Sequence, residues 1–155
     1  MRVLALLIAI GLVAPACAAS LDSSPTDVAP GTAAPAASGE MTVNAPGGTY
    51  TSVSPTRLAE MLTAKDFVLV NVHVPYEGEI DGTDTFLPYD QVANRLSELP
   101  AAKDARVLVY CRSGRMSIEA ARTLVRLGYT NVLELDGGMI AWEQAGQRLV
   151  QAPQD

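Results

Sequence analysis

Cys111 closes an apolar, β-branched run, RVLVYC, and is followed at once by RSGRMS, with two arginines, two serines and a glycine. A chain that passes from a strand through CRSGRM into a helix can curl so that successive backbone N–H groups face one small bowl. The helix N-terminus adds its partial positive charge to that bowl. A thiol placed there has its thiolate stabilised, and such thiolates are nucleophiles at neutral pH. Gly114 supplies the backbone freedom for the turn, while Arg112 and Arg115 put positive charge at the rim, suited to an anionic substrate. The competing reading is a small apolar filler at a strand end, flanked by solvated arginines.

The elements that must position this loop are legible along residues 49–152. Ser54-Pro55 reads as N-cap and first helical position, with Leu58, Met61 and Leu62 at helical spacing. FVLVNVHV (67–74), RVLVYC (106–111) and NVLELD (131–136) are runs of the kind buried on both faces of a parallel sheet, and DTFLP (84–88) is a candidate short strand. Helices are expected over QVANRLSEL behind Asp90, over 117–128 ending at Gly128, and over 137–149 after a glycine turn. Strands alternating with helices imply an α/β domain with a mainly parallel sheet and helices on both faces. Ligands of such sheets sit beyond the carboxyl ends of the strands, where Cys111 falls.

The 155-residue chain has room for one such domain plus extensions, and its net charge of −6 with no basic cluster argues against a nucleic-acid partner. Residues 1–16 have the pattern of a signal peptide, Arg2 before the apolar run VLALLIAIGLV, with Ala14 and Ala16 as the small residues of a cleavage site. The run is too short to span a bilayer. Residues 17–48, rich in Ala, Pro, Ser, Thr and Gly without apolar periodicity, are expected to form a flexible tether. Cys17 and Cys111 are the two cysteines, so loss or modification of Cys17 would leave Cys111 unpaired outside the cytoplasm, where thiols normally pair. His73 is the single histidine, which argues against a multi-histidine metal site and against a Ser-His-Asp triad; no metal or organic cofactor is expected.

Two resemblances extend these readings. APACAAS around Cys17 resembles a bacterial lipobox, with Ala14 where leucine usually stands, and implies lipid attachment at Cys17 and a periplasmic or cell-surface location; cleavage after Ala18 would instead leave a soluble exported protein. Residues 54–150 resemble a single rhodanese domain. CRSGRMS (111–117) is similar to that family's active loop, DGGMIAW (136–142) to its C-terminal signature and SPTRLAEML to its opening helix. The resemblance implies a five-stranded parallel sheet flanked by helices, and sulfurtransferase activity with Cys111 as the sulfur-accepting nucleophile. It also implies that the loop of Arg112, Ser113, Gly114, Arg115, Met116 and Ser117 binds the persulfide, and that an anionic donor such as thiosulfate and a thiol or cyanide-like acceptor are the partners. Separately from that resemblance, a monomer is expected. Gly137, Gly138 and Trp142 are expected to be structural.

The first central strand departs from the family pattern. Asn71 and His73 replace the usual Asp and Arg, Glu77 keeps the glutamate position, and Glu79 stands where the family has histidine. Cysteine phosphatases and arsenate reductases use a related bowl, but the phosphatases carry an arginine six residues after the cysteine, and that position is Ser117. A non-catalytic sulfur carrier or partner-binding module is the alternative of a different class.

Overall fold

A computed structural model describes residues 39–151. The signal peptide, the lipidation site at Cys17 and most of the expected tether lie outside the described residues. Eight strands and three α-helices follow in the order β1 (Glu40–Ala45), β2 (Gly48–Val53), α1 (Pro55–Leu62), β3 (Val68–Asn71), β4 (Glu79–Ile80), β5 (Thr85–Phe86), β6 (Val107–Tyr110), α2 (Arg115–Arg126), β7 (Val132–Leu135), α3 (Gly138–Gln144) and β8 (Leu149–Val150).

The main sheet has the order β1-β2-β7-β6-β3-β5, in which the last five are mutually parallel and β1 runs antiparallel to β2. The expected five parallel strands are therefore present, and a sixth is added at the edge. That strand corrects the tether boundary at residue 48. Residues 40–53 form a hairpin joined by Pro46-Gly47, with Gly47 at φ +97°, a left-handed conformation that glycine adopts without a side-chain penalty.

Side chains alternate across the parallel strands. Val70, Val107, Val109 and Val132 pack with Ala120, Ala121, Leu124 and Val125 of α2 on one face. On the other, Leu69, Leu108, Leu133 and Leu135 pack with Leu58 and Met61 of α1 and with Met139 and Trp142 of α3. In α1 the Ser54 hydroxyl accepts from Arg57 N–H at 3.3 Å and Pro55 occupies the first helical position, a cap worth about 1 kcal/mol. Helix α2 ends as a Schellman motif: Tyr129 N–H donates to Leu124 C=O, Gly128 N–H donates to Val125 C=O, and Gly128 lies at φ +88°.

Two expected helices are corrected. Residues 90–99 form turns and a 3₁₀ segment, Leu96–Glu98; Val92 and Leu99 are buried, and burial of these anchors holds a stretch too short to sustain an α-helix by itself. The last helix stops at Gln144 instead of continuing to 149. Gly146 turns the chain at φ +83°, and β8 then pairs antiparallel with β4.

Candidate functional site

Cys111 follows directly on β6, the middle strand of the five parallel ones, and is 1% exposed. Residues 112–114 turn into α2, with Gly114 as N-cap at φ +91° and no side-chain cap. The first N–H groups of a helix have no intrahelical acceptor. Among the described residues, the N–H groups of 112–117 find no other acceptor either. Unsatisfied donors and the positive end of α2 therefore lie on the chain segment that immediately follows the thiol.

The loop is held from behind by α3. Met139 N–H donates to Cys111 C=O and Ile140 N–H to Arg112 C=O, both at 2.9 Å, so the amino end of α3 satisfies the carbonyls of the two residues that begin the loop. This contact explains the paired glycines. A Cβ on Gly138 would lie 2.2 Å from the Cys111 carbonyl oxygen, and one on Gly137 would lie 2.6 Å from the Ala141 Cβ. Trp142 is buried and donates through Nε1 to Arg148 C=O, in keeping with a packing role.

At the rim, Arg112 is exposed and its guanidinium pairs with Glu77. An incoming anion must compete with that carboxylate for Arg112. Ser113 is exposed, as is Arg115, which among the described residues forms no ion pair. Glu77 also lies 3.5 Å from Nε2 of His73, which is buried. Asn71, buried, donates to Gly78 C=O and accepts from His73 N–H, both at 3.0 Å. At the two altered positions, then, Asn71 braces the turn that carries Glu77, while among the described residues neither ring nitrogen of buried His73 has a hydrogen-bond partner. Among the described residues no group of three or more His, Cys, Asp or Glu side chains is arranged to hold a metal ion.

Ser117 does not face the rim. Its Oγ lies 3.5 Å from Cys111 Sγ and donates to Glu134 Oε1 at 2.7 Å or to Gly114 C=O at 2.9 Å. Glu134 lies in the middle of β7 and is 2% exposed. Its other carboxylate oxygen is 3.4 Å from the Ser52 hydroxyl. Alternation along β7 puts it on the face of Val132, toward α2, at what would otherwise be an apolar core position. Sequence reasoning passed over this residue, although a carboxylate inside a fully apolar strand run was the available signal.

Burial pushes the Glu134 carboxyl up to about 7, with Asp136 adding to the rise and the Ser117 and Ser52 hydroxyls opposing it. The folded protein thus holds this proton more tightly than the unfolded chain, where the ordinary value is 4.5. The cost of ionising Glu134 in the fold grows as pH rises from about 4.5 to about 7 and is complete above that. Glu134→Gln is therefore expected to stabilise the protein at pH 8 by up to ~3 kcal/mol relative to its effect at pH 5. Urea denaturation at the two pH values measures this, and an equal effect at both would refute it.

A cysteine at the carboxyl end of a central parallel strand, followed by unpaired N–H groups and a helix start, defines an α/β domain built around a candidate nucleophilic thiol. The chain belongs to the rhodanese-like domain family, whose model matches residues 54–145. It is 41% identical over 97 residues to a sulfurtransferase of Allochromatium vinosum, covering 61% of this chain and 85% of that protein. It is 30% identical over 99 residues to a thiosulfate sulfurtransferase of Pseudoalteromonas translucida, covering 62% and 91%. Among solved structures, a rhodanese-related protein from Thermoplasma volcanium superposes with a TM-score of 0.56 at 25% identity, covering 65% of this chain and 98% of that one.

Proposed function

We propose that the protein is a sulfurtransferase that carries sulfane sulfur as a persulfide on Cys111. The observation that carries this reading is the position of the thiol, directly after the central strand at the head of a segment whose N–H groups have no partner among the described residues. Those donors suit the negative charge that develops in both half-reactions. In the first, the Cys111 thiolate attacks the outer sulfur of a donor such as thiosulfate, an S–S bond forms, the donor's own S–S bond breaks, and sulfite leaves with the electron pair. In the second, a thiophilic acceptor, a thiol or cyanide, attacks the outer sulfur and the thiolate is regenerated. The likeness to two proteins named sulfurtransferases, one of them for thiosulfate, supports the same chemistry.

A phosphatase or arsenate-reductase role fits less well. The position that would carry a phosphate-binding arginine is Ser117, turned inward against the buried carboxyl of Glu134. A phosphate dianion there would meet a carboxyl group where it needs a cation.

From the signal-like N-terminus and the motif around Cys17 we further propose that this activity lies outside the cytoplasm, on a lipid anchor. Intact mass spectrometry of the full chain, expressed in a bacterial host and taken from the membrane fraction, tests both proposals. The expected mass is that of a chain cleaved before Cys17 and carrying lipid, and exposure to thiosulfate is expected to add one sulfur atom at Cys111. An unmodified Cys111 after exposure counts against sulfur transfer, and an unlipidated mature chain counts against the anchor.

A further inference from the structure

Sulfur-transfer chemistry on Cys111 requires a thiolate, and the thiol is 1% exposed. Its proton therefore needs a destination inside the protein or a route out. The interior offers a short one. From Cys111 Sγ to Ser117 Oγ is 3.5 Å, and from Ser117 Oγ to Glu134 Oε1 is 2.7 Å, all three side chains being buried. A hydroxyl both accepts and donates, so it can link a proton donor to a proton acceptor without itself changing charge.

We propose that Glu134 stores the proton of Cys111, passed through the Ser117 hydroxyl, and thereby acts as the positioning and proton-holding residue for the nucleophile. The transfer balances. The Sγ–H bond breaks and its proton forms a new O–H bond on Ser117, while the original Ser117 O–H bond breaks and its proton forms an O–H bond on Glu134 Oε1. The electron pair stays on sulfur. The three groups carry one negative charge before and after, so no charge is created in the interior, where an additional one would cost most.

Two hydrogen-bond directions result. With the thiol protonated, Ser117 donates to the Glu134 carboxylate; with the thiolate formed, protonated Glu134 donates to Ser117, and Ser117 donates to sulfur. The second arrangement holds the thiolate in place for attack. Loading moves the negative charge to the outer sulfur, away from Ser117, and unloading restores the same arrangement.

The surroundings suit a carboxyl that changes protonation near neutral pH. Ser52 and Tyr50 approach from β2, Ser117 from α2, Cys111 from the end of β6 and Asp136 from the end of β7. Burial, and then the charge of Glu134, raise the Tyr50 hydroxyl's pKa, while Arg122 of α2 lowers it by charge and by hydrogen bonding. Burial of Glu134 is the largest influence on its own proton affinity.

The test is the pH dependence of Cys111 alkylation by iodoacetamide in the full chain, followed on the Cys111 peptide by mass spectrometry so that Cys17 does not contribute. Between about pH 5 and pH 9, a range spanning carboxyl and thiol titration, the wild-type rate is expected to show two inflections. The inflection near pH 7 marks ionisation of Glu134, which gives the singly charged pair and lets Glu134 take the thiol proton through Ser117; the second, at higher pH, marks loss of that shared proton. The rate should rise about tenfold per pH unit up to the first inflection and level off before the second. Glu134→Gln cannot ionise, and Ser117→Ala cannot link the two groups; each is expected to show a single inflection. A single inflection in the wild type overturns the assignment, as does survival of the step near pH 7 in either variant that folds. The assignment rests on Cys111 being the nucleophile of the proposed reaction. Alkylation needs no sulfur donor, so a failed relay with intact turnover leaves that reaction standing, whereas absence of sulfur transfer leaves the alkylation profile to be judged separately.

Discussion

Cys111→Ser is expected to lower thiosulfate-to-cyanide sulfur transfer at least about 10³-fold, to the background rate, as loss of a covalent nucleophile does. Serine fills nearly the same volume at the end of β6, and its hydroxyl can still bond to Ser117, so the fold and the adjoining loop persist. What is lost is specific to sulfur. A hydroxyl is not ionised near neutral pH in this setting, and an alkoxide attacking thiosulfate would have to form an S–O bond in place of an S–S bond. The measurement is thiocyanate formation by the full chain, with circular dichroism and a thermal melt to show that the variant is folded. Retention of more than about a tenth of wild-type turnover by a folded variant would place the nucleophile elsewhere.

Gly138→Ala is expected to destabilise the protein by about 3 to 5 kcal/mol, the range in which a strained backbone and a steric clash coincide. Gly138 lies at φ +60°, where a side chain is strained, and its added Cβ would sit 2.2 Å from the Cys111 carbonyl oxygen and 2.8 Å from both the carbonyl carbon and oxygen of Arg112. These are backbone atoms and cannot swing aside. Relief requires α3 to retreat, which breaks the 2.9 Å bonds from Met139 N–H and Ile140 N–H to the carbonyls of Cys111 and Arg112. Sulfur transfer should therefore fall even where the variant remains folded at low temperature. Gly146→Ala serves as the comparison: it also lies at positive φ, +83°, but its Cβ would meet no atom of the described residues within 4 Å, so only the conformational cost of about 1 kcal/mol applies. Urea denaturation of both variants checks the difference, and equal losses would show that the close approach of α3 to the loop is unimportant.

Much of the framework is written in local patterns. VLVN, VLVY and VLEL become β3, β6 and β7 because unbroken apolar, β-branched runs bury on both faces. Helix α2 begins at Arg115, two residues before the expected start, because Gly114 already supplies the left-handed N-cap. Misses occurred where meaning depends on distant partners. Strand β1 was hidden in an Ala/Pro/Ser/Thr/Gly-rich stretch, and it exists because β2 offers it a full antiparallel register. Residues 90–99 have apolar residues at helical spacing, yet Val92 and Leu99 reach the core through separate turns.

The sequence by itself determined the setting of Cys111: a cysteine at a strand end, a glycine three residues later and a helix immediately after are neighbours in the chain, and adjacent residues report one another directly. Only the tertiary structure decided what stands behind the cysteine. Ser117, Glu134 and Ser52 come from α2, β7 and β2, and they meet because β7 lies between β6 and β2 under α2. Along the chain, Glu134 is one charged residue in an apolar run. In the folded sheet its carboxyl sits at a core position, two hydrogen-bond steps from the thiol, where burial raises its proton affinity.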